Sequence, residues 1–98
     1  MKYEISKDFE KSARKLSGNY KESLKAVIKE IIFADTIDVL TDCKKLTGFQ
    51  SVYRIRIGTY RLFLFFEVKD NVIYLQYLVS RGEAYSKKYM DKLKNIDK

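Results

Sequence analysis

The stretch YRIRIGTYR, Tyr53 to Arg61, carries Arg54, Arg56 and Arg61 within nine positions and no carboxylate. Guanidinium groups at this density suit phosphate, because the planar fork donates two parallel hydrogen bonds to phosphate oxygens and keeps its charge at any accessible pH. Upstream, Lys44 and Lys45 extend the same acid-free stretch, which runs from residue 43 to residue 66. Histidine is absent, so acid–base chemistry must fall to another side chain and any metal would have to be held by carboxylates. Cys43 is the only cysteine, which leaves neither a disulfide framework nor a zinc site of the usual kind.

A hairpin must position the three arginines. Gly58-Thr59 separates two β-branched and aromatic runs, and glycine at the first position of a two-residue loop marks a type II′ turn. That loop sets Ile57 against Tyr60, Arg56 against Arg61, Ile55 against Leu62 and Arg54 against Phe63. Side chains alternate with period two, so Arg54, Arg56 and Arg61 share one face while Tyr53, Ile55 and Ile57 share the other. Directly opposed like charges destabilise a strand pair by up to roughly 1 kcal/mol. The arrangement therefore works against folding unless water or an anion occupies the face. Arginines on the wet face of a half-exposed strand are also ordinary.

The remaining elements follow from periodicity. KYEI (2–5) reads as a short strand, and Ser6 stands where a helix N-cap would. Phe9, Ala13 and Leu16 then fall at helical spacing, with Gly18-Asn19 as the expected stop. Tyr20, Leu24, Val27, Ile28 and Ile31 stripe a second helix over about residues 20–34. Residues 35–50 show no clear period and read as a connection. Three strand runs follow, SVYRIRI, YRLFLFFEV and VIYLQYLVS. The terminal segment keeps Tyr85, Tyr89, Leu93 and Ile96 at helical spacing. The expected fold is α+β, with an N-terminal short strand and αα-hairpin packed on a mainly antiparallel four-stranded sheet, followed by a C-terminal helix.

Length and charge set the outer bounds. The 98 residues suffice for one domain, residues 1–98, and for one modest core. With 20 Lys+Arg against 13 Asp+Glu the formal charge is +7, which favours an anionic partner, although solubility alone explains part of it. No apolar leader and no apolar run of about 18 residues appears, so the expectation is a cytoplasmic protein without a membrane partner.

The run KKLTG followed by YRIRIGTYRLFLFF, and then LVSRGEAY after one more strand, resembles the RelE/ParE superfamily of toxins from bacterial toxin–antitoxin modules. The whole chain fits that pattern, and the YRIRIG-YR strand pair is its most specific part. The RelE branch implies a cofactor-free ribonuclease that enters the ribosome and cuts messenger RNA, silenced by a cognate antitoxin that wraps it. The positions matching the family's active-site pattern are Arg54, Arg56, Arg61, Arg81 and Tyr85. Arg54 and Arg56 stand where active members often carry lysine.

Metal-free RNA cleavage requires a base for the 2′-hydroxyl, positive charge on the pentacoordinate phosphate and an acid for the departing 5′-oxygen. Arginine supplies the second and is a poor base. Tyr85 is then the expected proton acceptor, with Arg61 and Arg81 stabilising the transition state and Lys44, Lys45, Arg54 and Arg56 binding RNA phosphates. A phenol ordinarily titrates near about 10, so this role calls for guanidinium neighbours. The face of Arg81 depends on the second hairpin: a two-residue Asp70-Asn71 loop points it away from Arg61, and a three-residue loop over Lys69–Asn71 brings it to the same face. Two rivals remain: a ParE-like toxin acting on DNA gyrase without nuclease activity, and a catalytically silent module gripping antitoxin or RNA.

Overall fold

The computed structural model describes residues 1–97. In chain order its elements are β1 (Lys2–Ile5), α1 (Lys7–Arg14), α2 (Gly18–Phe33), a 3-10 turn (Ile37–Val39), β2 (Cys43–Lys45), β3 (Val52–Ile57), β4 (Tyr60–Glu67), β5 (Val72–Ser80), α3 (Arg81–Ala84) and α4 (Lys87–Ile96). The α+β class holds, but the sheet has five strands, ordered β1-β5-β4-β3-β2, where four were expected. The extra strand is β2, three residues of the supposed connection, antiparallel to β3 at one edge. A strand this short has no readable period; its pairing partner defines it. At the other edge β1 runs parallel to β5.

Helices cover both faces of the sheet. α1 and α2 bring Phe9, Leu16, Leu24 and Ile31 onto Ile55, Ile57, Leu62, Leu64, Leu75 and Leu78. On the opposite face Ala84 and Leu93 pack on Val52, Phe63 and Val79. Ser6 caps α1 as expected, its hydroxyl accepting from the Phe9 amide at 3.0 Å. Gly18 does not stop α1. That helix ends at Arg14, and Gly18, at φ +58°, opens α2. The terminal helix is broken after Ala84, so Tyr85 sits at the joint between α3 and α4. α4 is tied down at its far end: the Asp97 carboxylate accepts from the Gln50 and Ser51 amides at 2.8 and 2.7 Å, and Lys94 Nζ donates to the Gly48 carbonyl at 2.9 Å.

The β3–β4 register is the one the turn dictates, with Arg56 opposite Arg61 and Arg54 opposite Phe63. Gly58 has φ +58° and Thr59 has no positive φ, as a II′ turn requires. The second hairpin differs from both expected loops. Glu67 pairs with Val72, leaving Val68–Asn71 as a four-residue loop, and a bulge follows between Phe63 and Leu64. Leu64 faces Leu75 while Phe63 faces Tyr77, so Gln76 is the extra residue. Its carbonyl accepts from Ser6 Oγ at 2.6 Å, which ties the bulge to the cap of α1. The bulge slides the register by one, so Arg61 ends opposite Val79, as the three-residue loop would have placed it.

The hairpin tip is locked onto α2. Tyr20 packs edge-on against Tyr60, with ring centroids 5.0 Å apart, and its hydroxyl accepts from Thr59 Oγ1 at 3.0 Å. A Cβ on Gly58 would lie 2.6 Å from Tyr20 Cε1. Gly58→Ala combines this clash with a left-handed backbone, so it should destabilise the fold by roughly 1–3 kcal/mol. Tyr20→Leu in the same background should recover part of that loss in urea unfolding, since it removes the clash and leaves the strain.

Candidate RNA-binding face

Alternation along β3 and β4 puts Val52, Arg54, Arg56, Arg61 and Phe63 on one face, continued on β5 by Tyr77 and Val79. Lys44 joins this face because β2 sets it opposite Arg54. Lys45 does not. It pairs with Tyr53 and so belongs to the other face, a consequence of the same period of two; of the two lysines expected to bind RNA phosphates, only Lys44 lies on the arginine face.

The three hairpin arginines are not equivalent. Arg56 is exposed and Arg61 half-buried, but Arg54 is buried at 8% exposure, so the expected wet face holds only toward the hairpin tip. Arg54 Nη1 donates to the Asp42 carbonyl at 3.0 Å, and the Arg56 amide donates to the same oxygen at 3.3 Å. Among the described residues no carboxylate pairs with Arg54. A buried guanidinium without a counter-ion is costly to the fold. Arg61 Nη1 donates to the carbonyls of Gly58 and Tyr60, at 3.0 and 2.9 Å, which turns it back along the hairpin tip.

Arg81 opens α3, exposed, and its amide donates to the Thr59 carbonyl at 2.7 Å. Its backbone is thereby anchored at the tip that carries Arg56 and Arg61. Tyr85, four residues on, is 52% exposed, and its ring meets Phe63 edge-on with centroids 6.0 Å apart. Phe63 lies directly opposite Arg54. The fold therefore brings Tyr85 over the arginine face through a residue absent from the sequence candidates; the hairpin register was the signal that could have found it. Burial pushes the Cys43 thiol up to about 11 against the opposing pull of the Arg54 guanidinium, which disfavours the nucleophilic thiolate.

Burial separates the arginines experimentally. Arg54→Ala leaves a void and leaves the Asp42 carbonyl with the Arg56 amide alone, and should lower unfolding stability by roughly 2–3 kcal/mol. Arg54→Met, of similar volume and uncharged, should fold about as well as the parent. Arg61→Ala removes a like charge from Arg56 along with one exposed and one half-buried hydrogen bond, and its unfolding free energy should stay within about 1 kcal/mol of the parent's.

No family model matches the sequence. The toxin RelE3 of Methanocaldococcus jannaschii is 30% identical over 86 residues, spanning 87% of this chain and 96% of that protein. The fold is similar to RelE in the RelB–RelE antitoxin–toxin complex of Methanococcus jannaschii, with a TM-score of 0.72 and 25% identity over 83% of this chain and 93% of that one. It is similar also to the archaeal RelE–RelB complex of Pyrococcus horikoshii OT3, with a TM-score of 0.69 and 26% identity over 85% of this chain and 97% of the other. The arginine-bearing hairpin, the tyrosine at the joint of the terminal helices and this likeness along the chain agree: the protein belongs to the RelE family of toxins, from toxin–antitoxin modules.

Proposed function

We infer that this toxin is a ribosome-dependent endoribonuclease acting on messenger RNA without a metal. The observation that carries the reading is the seat of Tyr85, a phenol half in solvent, braced on Phe63 at the edge of an arginine face. In the proposed reaction Tyr85 acts as its phenolate, its own proton having gone to solvent, and takes the proton of a 2′-hydroxyl to become the phenol. The freed oxygen bonds to the adjacent phosphorus and the bond from phosphorus to the 5′-oxygen breaks, leaving a 2′,3′-cyclic phosphate. Arg61 and Arg81 neutralise the charge that builds on the phosphoryl oxygens. Arg81 also donates a hydrogen bond to the departing oxygen, which is protonated from solvent. Exposed Arg56 and Lys44 hold the phosphates on either side, and buried Arg54 contributes only its charge from beneath.

Tyr85→Phe keeps the ring contact with Phe63 and deletes one oxygen. Ribosome-dependent cleavage should fall by about 10²- to 10⁴-fold, the range for loss of a general acid or base, with ribosome binding little changed. A wild type that never cuts messenger, paired with a mutant as toxic as its parent, would point to gyrase instead. Equal cleavage by both would move the base to a lysine or to ribosomal RNA.

We infer also that a cognate antitoxin binds and silences the toxin; two archaeal relatives are solved in complex with RelB. The net charge of +7 makes an acidic or amphipathic antitoxin segment the fitting ligand for the arginine face. Association of the purified pair should slow steeply as salt rises. A rate indifferent to salt would place the contact on an apolar surface.

A further inference from the structure

A second basic feature lies away from the hairpin tip. Between α1 and α4, across the outer half of β5, runs a cleft of about 190 Å³. Asp8 and Lys11 of α1 and Lys15 at its C-cap line it, at the spacing of one helical face, and Tyr89 and Lys92 line it from α4. Tyr77 forms part of its wall from the sheet. Three ammonium groups against one carboxylate make the cleft electropositive. The two rings stand 5.6 Å apart at 66°, and Lys92 Nζ lies 5.4 Å from the centre of one and 5.3 Å from the centre of the other.

Lysines on a helix are ordinarily a solvated face. Two observations set these apart. They converge on a concave site with paired aromatic rings, the combination that grips single-stranded nucleic acid by charge along the backbone and stacking on the bases. The site is also continuous with the arginine face: Val79, in its wall, is the residue directly opposite Arg61, and neighbouring strands lie only about 4.8 Å apart.

We propose that the α1–α4 cleft is a subsite for single-stranded RNA next to the cleaved phosphate, with Lys11, Lys15 and Lys92 meeting phosphates and Tyr77 and Tyr89 taking a base. It rests on the ribonuclease reading, and it extends the path of the RNA from the hairpin tip across β5. An acidic protein segment would satisfy the lysines but would make no use of the paired rings.

The probe is a fluorescein-labelled single-stranded oligoadenylate, titrated by anisotropy into the full-length toxin at several salt concentrations. The double variant Lys11→Glu/Lys15→Glu changes two exposed side chains and should melt with the parent. Its affinity should fall at least about ten-fold, and the slope of log K against log salt should shrink by about 0.7 for each phosphate that is no longer neutralised. Tyr89→Leu should weaken binding by about ten-fold, whereas Tyr89→Phe, which still stacks, should bind as the parent does. If the double variant binds oligoadenylate like a parent that does cut messenger on ribosomes, the cleft is no RNA subsite and the ribonuclease reading stands. If the parent cuts no messenger yet its RNA binding still depends on these lysines, the ribonuclease reading falls and the cleft remains. Charge reversal that loosens the antitoxin complex but leaves RNA binding intact overturns the proposal in favour of an acidic protein segment. Absence of RNA binding by the parent overturns it outright.

Discussion

The turn at Gly58-Thr59 fixes a pairing that sets two arginines face to face, and most of the molecule is arranged around that contact. A two-residue loop leaves β3 and β4 no freedom of register, so Arg56 and Arg61 cannot slip apart. The tip that carries them is held from below by Tyr20, whose ring fills the space a Gly58 side chain would need. It is held from the side by the Arg81 amide on the Thr59 carbonyl. On the reading proposed above, this rigid backbone holds the two arginines in register before an anion arrives, so little backbone ordering opposes binding.

Behind the tip the face changes character. Arg54 sinks beneath the β2–β3 edge and bonds to the Asp42 carbonyl, while Phe63, opposite it, becomes the seat of Tyr85. One face thus grades from exposed charge at the tip, through a buried guanidinium, to the apolar contacts under α4. Those contacts are secured by Lys94 and Asp97 on the loop that joins β2 to β3. The loop and the terminal helix therefore support each other, and together they border the arginine face.

The hairpin was the most legible part of the sequence, because turn chemistry and alternation are local and each residue's partner lies a few positions away. The apolar spacing of the helices was legible for the same reason, as was the Ser6 cap. β2 was not. Cys43–Lys45 owes its strand character to pairing with Tyr53–Ile55, and that long-range pairing also turns Lys45 away from the arginines. The second hairpin shows a subtler limit. The register at Arg61 matched one of the two loops considered, but through a longer loop and a bulge at Gln76 whose carbonyl is taken by Ser6. A bulge is a tertiary event, and no count of turn residues reveals it. The burial of Arg54 was hidden likewise, since alternation assigns a side chain to a face without saying what lies over it.

The parallel pairing of β1 with β5 also bears on the order of folding. Ser6 finds its partner in Gln76, a separation of 70 residues, and the β1–β5 ladder is equally remote in sequence. As the chain emerges from a ribosome, β1 and α1 must wait until β5 has been made before they have a sheet edge and a sheet face to join. α2 can settle earlier on the β3–β4 hairpin, but Phe9 of α1 lacks β5 until then. Pairings this distant slow folding, because the entropy of closing the loop is given up before they form. A nascent chain of this topology stays unfinished until β5 has been translated, and during that interval the apolar side of α1 is open to chaperones and to aggregation.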